Sequence, residues 1–222
     1  MNILALLSAD QKEALCQTIQ TACSIFWGPV DSFCETMRQK GVFNEILQLE
    51  SFVAKTSLND LSRMNRIIRR FETTKALFSY LESTYVGLFI SNRKGVLTPL
   101  YHSCHEFEGA PMMGPAAITM KRKLAAVGLK MDVDFNEPPD HLSVELEYLY
   151  FLLSKGWAEN NESYTLEAIS FAADFMLPWT LKFYNRLQTA KDAEFYLSAL
   201  SLAVAGLRII GDDGERYGGL IE

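Results

Sequence analysis

The run Glu137-Pro138-Pro139-Asp140-His141-Leu142-Ser143-Val144-Glu145 places three carboxylates and one imidazole within nine residues. Two prolines close whatever precedes them, and Asp140 stands where a carboxylate caps a following helix by accepting from its first amides. His141 and Glu145 then fall one turn apart on the same helical face, where a carboxylate favours the imidazolium. Two readings follow. In one, the cluster only starts a helix, with Asp140 as cap and His141 paired to Glu145. In the other, it is a polar, partly enclosed patch suited to contacting a ligand or peptide. Catalysis by an Asp140-His141 dyad is disfavoured. A nucleophile needs its own base and oxyanion donors, and no Gly-x-Ser-x-Gly motif is present.

A second cluster, His102-Ser103-Cys104-His105-Glu106, gathers four side chains able to bind metal, including two of the chain's three histidines. Ligands so close in sequence rarely all reach one ion, and no second cluster at zinc spacing completes a site, so a polar loop and no metal is the expectation. Arg63, Arg66 and Arg70 share one helical face, read as solvated and ion-paired rather than as a nucleic-acid patch. Arg69-Arg70-Phe71 resembles a twin-arginine signal core, but it is internal and no apolar stretch follows it. Phosphate-cradling glycine motifs are absent from the sequence. Cys16 and Cys23 lie seven apart on an expected helix, about 10 Å of rise and too far for a disulfide. With Cys34 and Cys104, they read as four reduced thiols.

Helical periodicity supplies the elements that must position these groups. Ser8-Ala9-Asp10-Gln11 has the form of a capping box, followed by Leu15, Ile19, Ala22 and Phe26 at helical spacing up to Gly28-Pro29. Further helices are expected over 31–40, around Phe43–Phe52, over 58–90 as one or two long segments, and over 119–127. Between 91 and 115, Gly95, Pro99, Gly109, Pro111, Gly114 and Pro115 predict a long loop. Residues 129–140 form a connector with Pro138-Pro139, read as a hinge between an N-terminal half (about 1–128) and a C-terminal half (about 141–210). Leu142–Leu153 is apolar almost all round, as a central helix would be. Phe171, Phe175, Trp179, Phe183 and Leu187 recur at i+4, with Pro178 expected to interrupt the helix. A last helix is expected over 195–210, with 211–222 as a loose tail. Period-two strands are absent from the pattern, so the class is all-α, in one globular domain over 1–222.

The chain has 222 residues, 49% of them hydrophobic, enough for a full core. Its 27 acidic residues against 21 basic give a net charge of −6, which argues against nucleic-acid binding and suits a cationic partner. Six acidic residues and no Lys or Arg lie between Met131 and Glu147, so the remaining 21 acidic residues balance the 21 basic ones. The surplus negative charge therefore equals that of the hinge and the start of the central helix. The apolar opening Met1–Leu7 lacks the basic residues of a secretory signal, and Ala199–Ile210 is shorter than the roughly 20 residues of a membrane span. The expectation is a cytoplasmic protein that is not an integral membrane protein.

The Glu137–Glu145 run resembles the hallmark Glu-Pro-x-Asp-His, an aliphatic residue and a Glu, of the TorD/DmsD/NarJ family of redox-enzyme maturation chaperones. Other segments are similar in order and spacing: Leu81–Phe89, Pro99–Ser103, Met113-Gly114 through Gly128-Leu129, and Leu177-Pro178-Trp179 with Phe183. The resemblance spans roughly 75–205. Phe175 departs from it, standing where many members carry a His. The resemblance implies a multi-helix chaperone, not an enzyme, that holds the apo-form of a molybdenum-cofactor oxidoreductase in the cytoplasm and recognises its twin-arginine signal peptide before export. It also implies no resident cofactor, with weak guanine-nucleotide (GTP) binding and a monomer able to form hinge-swapped dimers as traits of some members. Alternatives are a GTP-binding or hydrolysing protein using the Asp140-His141 patch, and a NarJ-like chaperone of a reductase subunit that is not exported. Guanidinium groups followed by an apolar helix call for carboxylates beside an apolar groove. Asp132, Asp134, Glu137, Asp140, Glu145 and Glu147 could supply the first. Leu100, Tyr101, Tyr148, Phe151 and Trp179 could supply the second, although each aromatic also suits plain core packing. The candidate peptide-binding residues are thus Glu137, Pro138, Asp140, His141, Glu145, Tyr101, Ser103, Gly114 and Trp179.

Overall fold

The computed structural model describes residues 3–91, 96, 98–131 and 137–211. Among them are nine α-helices: α1 (Ala9–Phe26), α2 (Asp31–Lys40), α3 (Lys55–Ile68), α4 (Thr74–Tyr85), α5 (Pro115–Ala126), α6 (Leu142–Ala158), α7 (Glu162–Ser170), α8 (Leu177–Gln188) and α9 (Glu194–Gly211). No strand occurs among the described residues, in keeping with the all-α expectation. The expected tail from 212 onward, and Asp132 and Asp134 of the connector, lie outside them.

α1 starts as its sequence dictates, with Ser8 Oγ accepting from the Gln11 amide and the Gln11 side chain accepting from the Ser8 amide. Its apolar stripe then packs along α6, while α3 packs along α9. Phe26, Phe89, Phe183 and Tyr196 meet where α1, the segment after α4, α8 and α9 converge. The Tyr196 hydroxyl donates to the Leu81 carbonyl (3.1 Å), so this aromatic carries its polar end into the core satisfied.

Several boundaries depart from the sequence expectations for local reasons. The expected third helix is a 3₁₀ segment, Asn44–Phe52, entered through Phe43 at φ 53°. The 58–90 stretch divides where the Thr73 side chain accepts from the Ala76 amide and starts α4 afresh. α5 begins four residues before its expected start because Pro115 occupies its first turn, where a missing amide proton costs nothing. Pro178 does interrupt the α7–α8 run: a π-helical segment, Phe171–Met176, sits just before it. α9 is long and apolar enough to cross a membrane, but 78% of that stretch is buried inside the fold, where it acts as a core helix. All four cysteines carry free thiols, and burial pushes Cys16 and Cys34 up to about 11 and Cys23 to about 12.

Candidate functional site

The chain enters α6 alongside an earlier loop. The Leu142 amide donates to the Leu100 carbonyl (2.8 Å) and the His102 amide to the Asp140 carbonyl (2.9 Å), so 100–102 runs antiparallel to 140–142. Both sequence clusters singled out for their chemistry are thereby brought into contact.

Asp140 does not cap α6; His141 does. His141 Nδ1 accepts from the Ser143 amide at 3.2 Å, one residue later than the expected cap position. Asp140 is fully buried and turns the other way. Its Oδ2 accepts from the Ser103 amide (2.8 Å) and from Ser103 Oγ (2.5 Å), while that hydroxyl accepts from the Gly114 amide (2.9 Å). One carboxylate thus ties the start of α6 to both ends of the 103–114 loop. A Cβ at Gly114 would lie 3.1 Å from Glu106 Oε2 and 3.2 Å from Ser103 Cβ, which explains a glycine at that close approach. Asp140 Oδ1 has no protein partner.

The expected His141–Glu145 pair does not form, because the His141 imidazole is committed to the Ser143 amide as the cap of α6. His141 instead stacks flat on Trp27, at 4.8 Å between centroids and 6° between planes, with Tyr101 against its edge. Glu145, fully buried, contacts His102 Nδ1 (3.0 Å) and accepts from Trp179 Nε1 (2.9 Å). Burial raises the Glu145 pKa well above the ordinary value and lowers that of His102 to about 4. Both shifts favour the neutral pair over an ion pair, and the second carboxyl oxygen accepts the indole proton. Burial likewise lowers His105 and His141 to about 4. His105 Nε2 donates to the Pro99 carbonyl (2.7 Å) and Nδ1 accepts from Arg186 (3.3 Å), which requires a neutral ring. Phe175 packs its edge on His102 at 4.6 Å.

Of the candidate residues, Asp140, Ser103, Gly114, Glu145 and Trp179 thus meet in one largely buried network, joined by His102, which sequence reasoning had placed only in a metal-like cluster. Among the described residues no group of His, Cys, Asp and Glu is arranged to hold a metal ion. Glu137 and Tyr101 sit at the rim, half-buried, the phenol donating to Glu137 Oε2 at 2.7 Å. Pro138 is half-buried beside them. α3 ends at Ile68, so Arg70 stands in the turn beyond the helix rather than on one face with Arg63 and Arg66. The expected ion pairing is present: Arg63 meets Asp60 (2.7 Å) and Glu194 (3.8 Å), and Arg70 reaches Glu194 at 4.0 Å.

The residue that sequence reasoning missed is Trp27. It follows α1 directly and lines two adjoining surface troughs together with Glu147. Its position before Gly28-Pro29, at a helix end, was the available signal.

Comparison with known proteins supplies the wider frame. Residues 50–185, more than half of the chain, match the family model described as nitrate reductase delta subunit. The chaperone protein TorD of Vibrio parahaemolyticus is 24% identical over 82% of this chain and 88% of its own length. The chaperone protein TorD of Photobacterium profundum is 28% identical over 56% of this chain, a match spanning 59% of that relative. Among solved structures, a candidate redox enzyme maturation protein from Archaeoglobus fulgidus aligns with a TM-score of 0.48 and 22% identity, covering 88% of this chain and 93% of its own.

Proposed function

The chain belongs to the nitrate reductase delta subunit family, which takes in the TorD/DmsD/NarJ redox-enzyme maturation chaperones that its sequence resembles, and we propose that it holds the apo-form of a molybdenum-cofactor oxidoreductase in the cytoplasm during cofactor insertion, recognising its twin-arginine signal peptide. The observation that carries this reading is the family match, whose span includes the whole Glu137–Glu145 motif. The site supports binding rather than catalysis. The Ser103 hydroxyl, the natural nucleophile beside a carboxylate, is buried and already committed to Asp140 and Gly114. Asp140 and His141 act as positioning residues, one fixing the 103–114 loop and the other supporting Trp27, while Glu137 and Tyr101 at the rim meet the client.

Calorimetric titration with a synthetic twin-arginine signal peptide tests this. Saturable binding is expected, weakened when Asp140 and His141 are both changed to Ala in protein shown to be folded by its thermal transition. Unchanged affinity in the folded double variant removes the role given to these two residues. A second reading is favoured by the description of the matched family: a client bound through its mature subunit. In that case the peptide alone gives no heat and the whole apo-subunit binds. GTP turnover above background that disappears in Asp140→Asn would contradict a non-catalytic chaperone.

A further inference from the structure

We propose that the surface on either side of Trp27 is one bipartite groove, seating basic side chains of a client leader in a polar trough and its apolar helical stretch in an adjoining one. This rests on the signal-peptide reading above and locates it away from the buried network. The polar trough, about 540 Å³, is lined by Gln17, Gln20, Glu45 and Tyr150, and the apolar one, about 580 Å³, by Leu124, Leu129, Val144 and Phe151. Trp27 and Glu147 line both, so the two troughs share a wall rather than being separate features.

Charge complementarity selects the occupant. Neither Glu45 nor Glu147 pairs with a cation among the described residues. Glu147 is exposed by area, yet the surrounding walls still raise its pKa, a desolvation cost that an approaching guanidinium relieves. Lys130 lines the apolar trough and is the sole cation lining either one among the described residues, which sets the cationic end of the occupant toward Glu45 and Glu147. Leu129, Phe151 and Trp27 are all half-buried, offering apolar area at the surface without loosening the core. A leader with paired arginines ahead of an apolar helix has this same order of chemistry. Trp27 also stacks on His141, so an occupant pressing on the indole touches the cap of α6, and through it the motif.

The test is fluorescence anisotropy of a labelled synthetic peptide bearing two arginines followed by a leucine- and alanine-rich stretch, titrated with the whole chain. Glu45→Gln with Glu147→Gln is expected to weaken binding about tenfold at low salt, the scale of desolvated charge pairs at interfaces, and to flatten the salt dependence. Leu129→Asn is expected to weaken it independently. The same peptide with glutamines for its arginines should bind weakly and be indifferent to the glutamate changes. If the wild-type chain binds the arginine peptide and both the double glutamate variant and Leu129→Asn bind it equally well, the groove assignment is overturned while the signal-peptide reading stands. Should the wild-type chain fail to bind the peptide at all, both fall. A Leu129→Asn variant that changes the sedimentation of the free chain but not its peptide affinity marks the groove as a contact between copies, which also overturns the proposal.

Discussion

Glu145 and Glu147 stand two residues apart on α6 and lead opposite lives. Glu145 points inward, has no exposed surface, and is held by His102 and Trp179. Glu147 points outward, is exposed, and forms a wall of the two troughs beside Trp27. The acidic surplus of the sequence is therefore not one surface. Helical geometry divides it, sending part into the interior as hydrogen-bonding scaffold and leaving part outside as charge, because positions i and i+2 face about 200° apart. A buried carboxyl survives by becoming neutral or fully hydrogen-bonded, whereas an exposed one keeps its charge for a partner.

The comparison breaks most visibly inside. Glu145→Ala leaves the Trp179 indole proton unpaired in a buried cavity and should cost about 3 kcal/mol of unfolding free energy in chemical denaturation. Glu145→Gln should cost well under 1 kcal/mol, because its carbonyl accepts from Trp179 and its amide donates to His102 Nδ1. A large loss in that variant would mean that Glu145 is ionised in the fold. Asp140→Ala strips both Ser103 donors of their acceptor and should cost about 2 kcal/mol.

Acid should act through the histidines. Their folded pKa values, about 4, lie below the ordinary 6.5, so their contribution is present above pH 6.5 and lost as pH falls toward 4. Glu145, raised above 4.5, contributes in the opposite sense: its share is present below 4.5 and lost as pH rises through its folded value. Between about pH 4.5 and 6.5 unfolding then takes up protons on the three histidines, with Glu145 acting in the opposite sense. Stability should rise with pH there, because the three histidines outweigh the single opposing carboxyl. Glu145→Gln removes the opposing proton and should steepen that slope, which denaturation at a series of pH values reads directly. The smallest stability effect is outside: Glu147→Gln should shift unfolding by no more than about 0.5 kcal/mol.

Much of this was legible in the sequence. The Ser8–Gln11 capping box, the Pro178 interruption and the apolar α6 follow from local pattern, and the all-α class follows from their sum. The family motif is contiguous in sequence, and two of its carboxylates, Asp140 and Glu145, enter the buried network. What the sequence hid was direction. Asp140 and His141 exchange the expected capping role, since the bridge between 100–102 and 140–142 turns the aspartate toward Ser103 and leaves the imidazole to cap. The His102–Glu145–Trp179 contact joins three elements remote in sequence, and helical spacing carries no information about such meetings. His141 was expected to be favoured as a cation by a neighbouring carboxylate; burial and an aromatic stack keep it neutral instead.

The division of α6 into an inner scaffold and an outer recognition edge is tested most directly by calorimetric titration of a synthetic twin-arginine peptide into two folded single variants. Glu145→Gln is expected to bind as the wild-type chain does, and Glu147→Gln to bind several-fold more weakly. The opposite result, with binding lost in Glu145→Gln and untouched in Glu147→Gln, would contradict it and return recognition to the buried network.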